Sequence, residues 1–471
     1  MIKTPFFLLL LFTLCGALAV ANENFYLGGI AVNEPDHHDW AKSLKDAQMN
    51  TVEVTVYAKQ GDWDSDNLWY EAEEPYVVSE IRAAKQAGLK VVLILRVALD
   101  HAFERNKFLW HGMIMPKDDE LLASWFNKYQ AFAIKWAKIA QDEGVDVFGI
   151  GSEMRMLVQT VEREGLPNIV EYYLNEDKQQ AEYDKYMRYE GQIPQDSLWV
   201  RGHKYTDLSL YLKDKQAAQR VWAKQVGFLN PPKLSEGAKA KMASPVFMVN
   251  RRSAQIKRYW QELIDEVRLE FKNRLTYAAN FDNYHLVGFW SDLDILGINA
   301  YFPLRFQYNN EQWGKINEEQ TSPEAPKTVA KFANLEEELI AGWQDVYSSI
   351  ESVKKKNHIN PDMPLWFTEL GYIYRENCTY APWAGFGHAV VGAGDNERLL
   401  LYNQEPENLS ERATAIRALR KVNEQHGNLL QGILYWKLTS KVYHIPVEPF
   451  VMHITPEATD PMQTELVLFT K

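Results

Sequence analysis

A run of five apolar residues, Val91-Val92-Leu93-Ile94-Leu95, forms the centre of a predicted strand at Lys90–Val97. A strand that is apolar on both faces is typical of a parallel sheet that is covered on both sides. Further apolar runs alternate with helical patterns along the chain and predict eight strands: Phe25–Ile30, Thr51–Tyr57, Lys90–Val97, Asp146–Gly151, Leu275–Ala279, Asp294–Ala300, Pro364–Thr368 and Gln431–Trp436. Eight strands separated by helices predict an α/β fold, the closed (β/α)8 TIM barrel, rather than an open sheet.

Two long helical patterns favour the same architecture. Apolar residues recur at steps of three and four residues across Leu122–Ala140 and again across Ile256–Phe271. Such a stripe is expected of a helix that packs on the outside of a barrel. The aromatic side chains of both stripes are therefore assigned to the core rather than to a binding site.

Two segments depart from a plain barrel. An insertion at about 161–250, after the fourth strand, is rich in tyrosine and charged residues and shows little sustained period. Loops that follow barrel strands lie on the catalytic face, so the insertion is expected to shape a substrate cleft or to form a lid. A surface elaboration without substrate contact is equally compatible with the sequence. The last segment, at about 441–471, shows no clear helix, so we expect the final barrel helix to be absent or replaced.

The N-terminus predicts a secretory signal peptide at 1–21. Lys3 precedes an uncharged apolar run at 6–20, and small residues stand before a polar segment that begins after Ala21. Cleavage there would leave one barrel domain at 22–471, in a secreted or periplasmic protein. The apolar run is short for a membrane span, so an uncleaved anchor is the less favoured alternative.

Composition narrows the class of ligand. The formal net charge of −12 disfavours nucleic acids and anionic lipid surfaces as partners. Tryptophan, tyrosine and phenylalanine are plentiful, and flat rings stack on sugars, although aromatic cores are the commoner reason for such counts. No metalloprotease, Walker or dinucleotide motif is present, so no cofactor is expected. The metal-capable run Asp36-His37-His38-Asp39 is interpreted as a polar loop, because adjacent histidines on an extended loop rarely converge on one ion.

Two of the predicted strands are followed by a glutamate. The fourth reads Gly149-Ile150-Gly151-Ser152-Glu153, and the seventh reads Phe367-Thr368-Glu369. Active sites of barrel enzymes lie at the C-terminal ends of the strands. Hydrolysis of a glycosidic bond requires two carboxyl groups, one as proton donor to the leaving oxygen and one as nucleophile. A single glutamate here could instead pair with an arginine or cap a helix, but two at these strands favour catalysis.

Strands four and seven lie on opposite sides of an eight-stranded ring, which predicts the stereochemistry. Side chains at their ends are expected to meet across the opening at about 5–5.5 Å, the spacing of retaining enzymes. The acid of the pair is expected to have a raised pKa, while its partner stays ionised.

The glutamates after strands four and seven resemble the catalytic pair of glycoside hydrolase clan A. Within that clan, several segments are similar to family 113, whose known members are β-1,4-mannanases. These segments cover most of the chain from the fourth strand onward, apart from the insertion: Gly149–Met154, Tyr259–Leu304, Pro364–Tyr372 and Ala381-Pro382-Trp383.

The resemblance implies a role for each of several side chains. Glu153 corresponds to the acid/base and Glu369 to the nucleophile. Tyr301 corresponds to a tyrosine held against the nucleophile, and Trp436 to a tryptophan that floors the subsite of the cleaved sugar. Two asparagines, Asn280 and Asn299, are candidates for contacts to sugar hydroxyls.

The chain departs from the clan at two points. Ser152 stands where most members have an asparagine that contacts the sugar 2-hydroxyl. Arg96-Val97-Ala98 stands where a Lys-Pro-His run is expected; Arg96 could supply the positive charge, but the histidine is absent. A carbohydrate partner is expected, with β-mannan first and another β-glycan or transglycosylation next. A non-catalytic carbohydrate-binding barrel is disfavoured by the presence of both glutamates.

Overall fold

The computed structural model describes most of the chain beyond the predicted signal peptide, which lies outside the described residues. The described residues are 24–31, 34, 36–70, 73–162, 164–187, 199–200, 203–205, 207–227, 245–305, 332–380, 382, 387–391, 398–402, 406–440, 450–455 and 460–471.

Eight parallel strands close into a barrel. They are β1 (Tyr26–Ala31), β2 (Thr51–Gln60), β3 (Lys90–Leu99), β4 (Val147–Ser152), β5 (Arg274–Asn280), β6 (Leu296–Ala300), β7 (Leu365–Leu370) and β8 (Leu430–Thr439). Each strand pairs with the next along the chain, and the pairing of β1 with both β2 and β8 closes the ring. The (β/α)8 barrel expected from the sequence is confirmed.

Each predicted strand overlaps an observed one, and β2 and β8 run three residues beyond their predicted ends. The end of β2 pairs with a short antiparallel strand, Leu68–Trp69, and the end of β8 pairs with Met452–His453. These extensions are held by strand pairing rather than by an apolar pattern, so local sequence could not indicate them.

Helices surround the barrel. They are α1 (His37–Asp46), α2 (Glu74–Gln86), α3 (Asp119–Asp142), α4 (Asn168–Leu174), α5 (Glu176–Met187), α6 (Leu208–Gly227), α7 (Pro245–Glu270), α8 (Leu335–Lys356), α9 (Leu409–Gln425) and α10 (Pro461–Val467). The two stripes predicted to be outer helices are α3 and the C-terminal half of α7. Their tryptophans, Trp125, Trp136 and Trp260, are fully buried, which confirms the assignment to the core. In the described residues, no helix is both long and apolar enough to span a membrane.

The insertion after β4 is more helical than its sequence indicated. Helices α4, α5 and α6 lie within 168–227, although little helical period was expected there. The α5 sequence, EDKQQAEYDKYM, is polar almost throughout, and only Gln179 in it is buried. Its helix faces an open cleft and solvent rather than the core, so it has no aliphatic stripe for a periodicity argument to detect.

One local expectation was wrong, and a second, that the last barrel helix is absent or replaced, agrees with the structure. The run Asp36–Asp39 is not a loop but the start of α1, where the Asp36 side chain accepts hydrogen bonds from the backbone N–H groups of His38 and Asp39. The C-terminal segment contains a short helix, α10, which is capped by Asp460. The barrel's last helix is thus replaced by a one- to two-turn helix, which is too short to give a clear pattern.

Candidate active site

A cleft of about 1300 Å³ opens at the C-terminal face of the barrel. Both Glu153 and Glu369 line it, although they come from strands on opposite sides of the ring. The other lining residues come from the ends of β2, β3, β5, β6 and β8, from the loops after β3 and β4, from α4 and α5, and from Phe450. The sequence prediction that the two glutamates share one opening therefore agrees with the structure.

Glu369 lies at the C-terminal end of β7 and is almost fully buried. Both of its carboxyl oxygens accept hydrogen bonds: Oε1 from Nη2 of Arg96, and Oε2 from the hydroxyl of Tyr301 at 2.5 Å. A Cβ at Gly371 would lie 2.7 Å from the ring of Tyr301, so the glycine lets that ring pack against the backbone. The carboxylate is thereby fixed in orientation by a cation and a phenol.

Arg96 is buried at the end of β3 and lies between two carboxyl groups. Besides Glu369, its Nη2 lies 3.5 Å from Oε1 of Glu53, a fully buried side chain on β2. Its guanidinium also lies over the ring of Trp436, 5.1 Å from the ring centroid. Burial raises the pKa of Glu53 well above its usual range, although Arg96 opposes the shift. Arg96 thus lies between two buried carboxyl groups and forms its hydrogen bond with the one on Glu369.

Glu153 follows β4 directly and has a strained backbone. Its φ of +53° lies in the left-handed region, which costs a non-glycine residue about 1–2 kcal/mol. The conformation is held by bonds on either side of the residue: the N–H of Glu153 donates to the carbonyl of Ala278, and the N–H of Met154 donates to the hydroxyl of Tyr277. Strain of this kind concentrates at functional sites, where the surrounding structure fixes it.

Two side chains hold the carboxyl group of Glu153. Nδ2 of Asn280, at the end of β5, donates to Oε1 at 2.8 Å. Nε2 of His111 lies 3.0 Å from Oε2. His111 belongs to a short 3-10 turn, His111–Met113, in the loop between β3 and α3. His111 therefore reaches Glu153 from a position twelve residues beyond the end of β3.

The pKa values of the pair do not follow the order expected from the sequence. Burial raises the pKa of Glu369, although Arg96 and Tyr301 oppose the shift. Burial also acts to raise the pKa of Glu153, but the hydrogen bond and charge of His111, helped by Arg96 and Asn299, outweigh it and lower that pKa. The expectation of a raised pKa at Glu153 is wrong for the open cleft, because a histidine that the sequence did not indicate faces its carboxyl group.

The substitution His111→Ala is expected to shift the alkaline limb of the pH profile of kcat/KM to higher pH. The imidazole acts against the rise in pKa that burial causes at Glu153. Without it the pKa of Glu153 rises, so its carboxyl group keeps its proton to a higher pH. The limb is measured as kcat/KM against pH, which reports groups of the free enzyme.

Two variants control the His111 experiment. His111→Gln keeps a hydrogen-bond donor but not the charge, so its shift should be smaller. His101→Ala changes a histidine of the same loop that bonds the carbonyl of Leu109 instead of Glu153, and should leave the limb in place. If the alkaline limb of His111→Ala is unchanged or moves to lower pH, the imidazole does not lower the pKa of Glu153 as assigned.

The remaining predicted site residues fall into two groups. Trp436 and Asn280 line the cleft, and Oδ1 of Asn280 has no hydrogen-bond partner among the described residues. Ser152 and Asn299 are fully buried below the pair: the Asn299 amide lies 3.5 Å from the Ser152 hydroxyl and accepts a hydrogen bond from Thr368. Their positions favour support of the strand ends over direct contact with a sugar. Ala381 and Trp383 lie outside the described residues.

Sequence reasoning missed three contributors to this site. Glu53 carried a usable signal, since a carboxyl group inside the apolar strand pattern of β2 is unusual. His111 carried none, because it lies in an irregular loop far from the strand end. Phe450, which packs edge-on against Tyr301 at 5.8 Å between ring centroids, comes from the irregular segment after β8.

The insertion lies along the cleft rather than apart from it. Ten of the 24 described residues that line the cleft come from α4 and α5: Asn168, Ile169, Tyr172, Tyr173, Asp177, Lys178, Ala181, Glu182, Lys185 and Tyr186. Of the two interpretations left open by the sequence, the structure supports the one in which the insertion shapes the cleft. Within the described part of the chain, no cluster of three or more His, Cys, Asp or Glu side chains could hold a metal ion.

Comparison with solved structures shows which known folds are similar. A family 113 β-mannanase from Alicyclobacillus acidocaldarius, in complex with ManMIm, aligns with a TM-score of 0.51 and 15% identity, over 95% of this chain and 97% of that chain. A structure of a family 113 β-1,4-mannanase complex aligns with a TM-score of 0.52 and 15% identity, over 95% of this chain and 98% of that chain. Likeness at this identity shows a shared fold.

The family itself is shown by a sequence model. The model for Glycoside Hydrolase Family 113 matches residues 31–166 and 241–402, more than half of the chain, and leaves out most of the insertion. A search among curated proteins finds no match. The barrel, the shared cleft and the extent of the match lead to one assignment: the chain belongs to glycoside hydrolase family 113 and is a glycoside hydrolase.

Proposed function

We propose that the protein hydrolyses β-1,4-linked mannan or its oligosaccharides with retention, with Glu369 as nucleophile and Glu153 as acid/base. One observation carries the proposal: two buried carboxyl groups from opposite strands line the same cleft, each with its own set of partners. Two carboxyl groups with different environments are what a double displacement requires.

Glu369 is suited to the nucleophilic step. Bonds from Arg96 and Tyr301 favour its ionised form and aim the carboxylate, so little reorganisation is needed before it attacks the anomeric carbon. Attack forms a glycosyl ester on Glu369 and breaks the bond to the leaving oxygen, which takes a proton from Glu153. Trp436, beside Arg96 in the cleft, would pack against the face of the sugar that carries the ester.

Glu153 is suited to move a proton in both steps. Its carboxyl group is hydrogen-bonded to His111, so a proton held by this pair lies within reach of the leaving oxygen. A sugar that fills the cleft displaces water and increases burial, which raises a carboxyl pKa and favours proton donation. Once ionised, Glu153 takes a proton from the water that attacks the ester, and Glu369 is released as a carboxylate.

The choice of mannan rests on family membership. Two solved relatives with this fold are described as β-mannanases, and the one from Alicyclobacillus acidocaldarius was solved with ManMIm in place. The sequence departs from the clan pattern at Arg96, so other β-glycans are the alternatives that an experiment must compare.

Purified enzyme incubated with manno-, gluco- and xylo-oligosaccharides tests the proposal. We expect cleavage of the β-1,4-manno-oligosaccharides, with the β-anomer of the new reducing end formed first in proton NMR spectra. First appearance of the α-anomer would rule out a double displacement. Cleavage confined to gluco- or xylo-oligosaccharides would overturn the substrate and leave the mechanism standing.

A further inference from the structure

Helices α4 and α5 form a large part of the cleft wall. Ten of the 24 described cleft-lining residues come from them, and both helices lie outside the two segments that match the family model. The two glutamates thus come from the matched segments, while the wall that α4 and α5 form beside them does not.

This wall is fixed to the rest of the protein. Glu182 on α5 accepts a hydrogen bond from the hydroxyl of Tyr172 on α4 and another from Nζ of Lys215 on α6 at 3.0 Å, which ties the three helices together. The ring of Tyr173 packs edge-on against Trp222 of α6, with centroids 6.0 Å apart. Wall residues held in this way lose little freedom on binding a ligand, which favours affinity.

Helix α6, which is tied to α4 and α5, is anchored to the loop that carries His111. The indole Nε1 of Trp222 donates to the carbonyl of Met113 at 2.8 Å, and Nε2 of Gln219 donates to the carbonyl of Phe108 at 3.3 Å. Both bonds run from α6 to the loop between β3 and α3. The wall thus stands beside the histidine that contacts Glu153.

Contacts also place the wall on the side of Glu153 rather than of Glu369. Arg155, two residues after Glu153, forms an ion pair with Asp282 after β5, and both line the cleft. The charge of Arg155 reaches Tyr173 and acts to lower its pKa, against a larger rise from burial. The partners of Glu369, by contrast, come from β3 and from just beyond β6, and neither is part of the insertion.

We infer that α4 and α5 bind the sugars on the leaving-group side of the cleaved bond. The inference rests on the proposed function, because the acid/base stands next to the leaving oxygen in a retaining glycosidase. Tyr173 offers a partly exposed ring in this wall, and aromatic rings pack against the apolar faces of sugars. The wall therefore determines how many leaving-group sugars the enzyme holds and where along a chain it cuts.

The experiment measures which bond is cut in a reducing-end-labelled mannohexaose by the wild type and by Tyr173→Ala. Loss of binding on the leaving-group side disfavours modes that place several sugars there. The ratio of cleavage at the bond nearest the labelled end to cleavage at more distant bonds should rise on the order of tenfold, the effect of losing about one aromatic contact. This ratio does not depend on the fraction of folded enzyme.

The matched control is Tyr173→Phe, which keeps the ring and should keep the wild-type ratio. A shift of cleavage away from the labelled end would assign the wall to the other side of the bond, and an unchanged ratio would remove it from substrate binding; either result overturns the inference. If the wild type cleaves no manno-oligosaccharide, the proposed substrate is wrong, and the same ratio is measured on the labelled β-glycan that it does cleave.

Discussion

Replacement of Glu369 by alanine is expected to lower kcat on the order of 10⁴-fold or more, as for other enzymes that lose their nucleophile. Its carboxylate is held in the cleft by both a buried cation, Arg96, and a phenol, Tyr301. Without it no glycosyl ester can form, and the remaining acid can only assist a direct attack by water.

Rescue by azide tests whether Glu369 is the nucleophile. The space left by Glu369→Ala can admit azide, which attacks the anomeric carbon in a single displacement and expels the leaving group as its anion. Azide should therefore restore turnover of an activated dinitrophenyl β-glycoside and yield the α-glycosyl azide, identified by NMR. A β-glycosyl azide from this variant would reverse the roles of the two glutamates.

The control for this experiment is Glu376→Ala. Glu376 follows the same strand by a few residues but is exposed and is not part of the cleft wall. Its replacement should leave kcat and KM unchanged. A comparable loss of activity in this control would attribute the effect of Glu369→Ala to damage of the loop rather than to loss of the nucleophile.

Glu153→Ala is expected to lower kcat on oligosaccharides by about 10²- to 10⁴-fold, the contribution of a positioned general acid. The loss should depend on the leaving group. Dinitrophenolate leaves without a proton, so ester formation on Glu369 should stay fast with a dinitrophenyl glycoside and only its hydrolysis should be slow. A pre-steady-state burst of dinitrophenolate followed by slow turnover is the expected observation.

Added azide should then attack the ester of Glu153→Ala and yield the β-glycosyl azide, after two displacements. Glu162→Ala, an exposed glutamate in the loop after the same strand, is the matched control and should behave as the wild type. Equal losses of activity in Glu153→Ala for good and poor leaving groups would argue against a role in proton transfer.

Local sequence was sufficient for the barrel and for the pair of glutamates. A buried parallel strand such as Lys90–Leu99 must be apolar on both faces, so its signal is strong and short-ranged. Glu153 and Glu369 end such runs at the point where barrel strands reach the catalytic face. Their place in the sequence was therefore enough to assign them to that face.

The surroundings of the pair were less predictable. His111 lies twelve residues beyond the end of β3 and reaches Glu153 because its loop is anchored by Trp222 of the insertion. Its contact reverses the pKa shift expected at Glu153, since the hydrogen bond to His111 acts against burial and lowers the pKa of that carboxyl group. No periodicity in the chain encodes a contact between residues so far apart.

The helices of the insertion were also not predictable from local sequence. Helix α5 carries tyrosine and charge where an outer barrel helix would carry aliphatic residues, because it faces a cleft. Hydrophobic periodicity detects a helix by the apolar stripe that the helix buries, and α5 has almost no such stripe.

The sequence by itself determined that eight buried strands form a barrel and that Glu153 and Glu369 stand at the ends of two of them. The family resemblance also indicated Tyr301 beside Glu369. The tertiary structure alone decided that Arg96 bonds the same carboxyl group, that His111 and Asn280 hold the other, and that the insertion lines the cleft. Strand patterns are fixed by burial within a few neighbouring residues, whereas the charge environment of a carboxyl group depends on side chains that only the folded chain brings together.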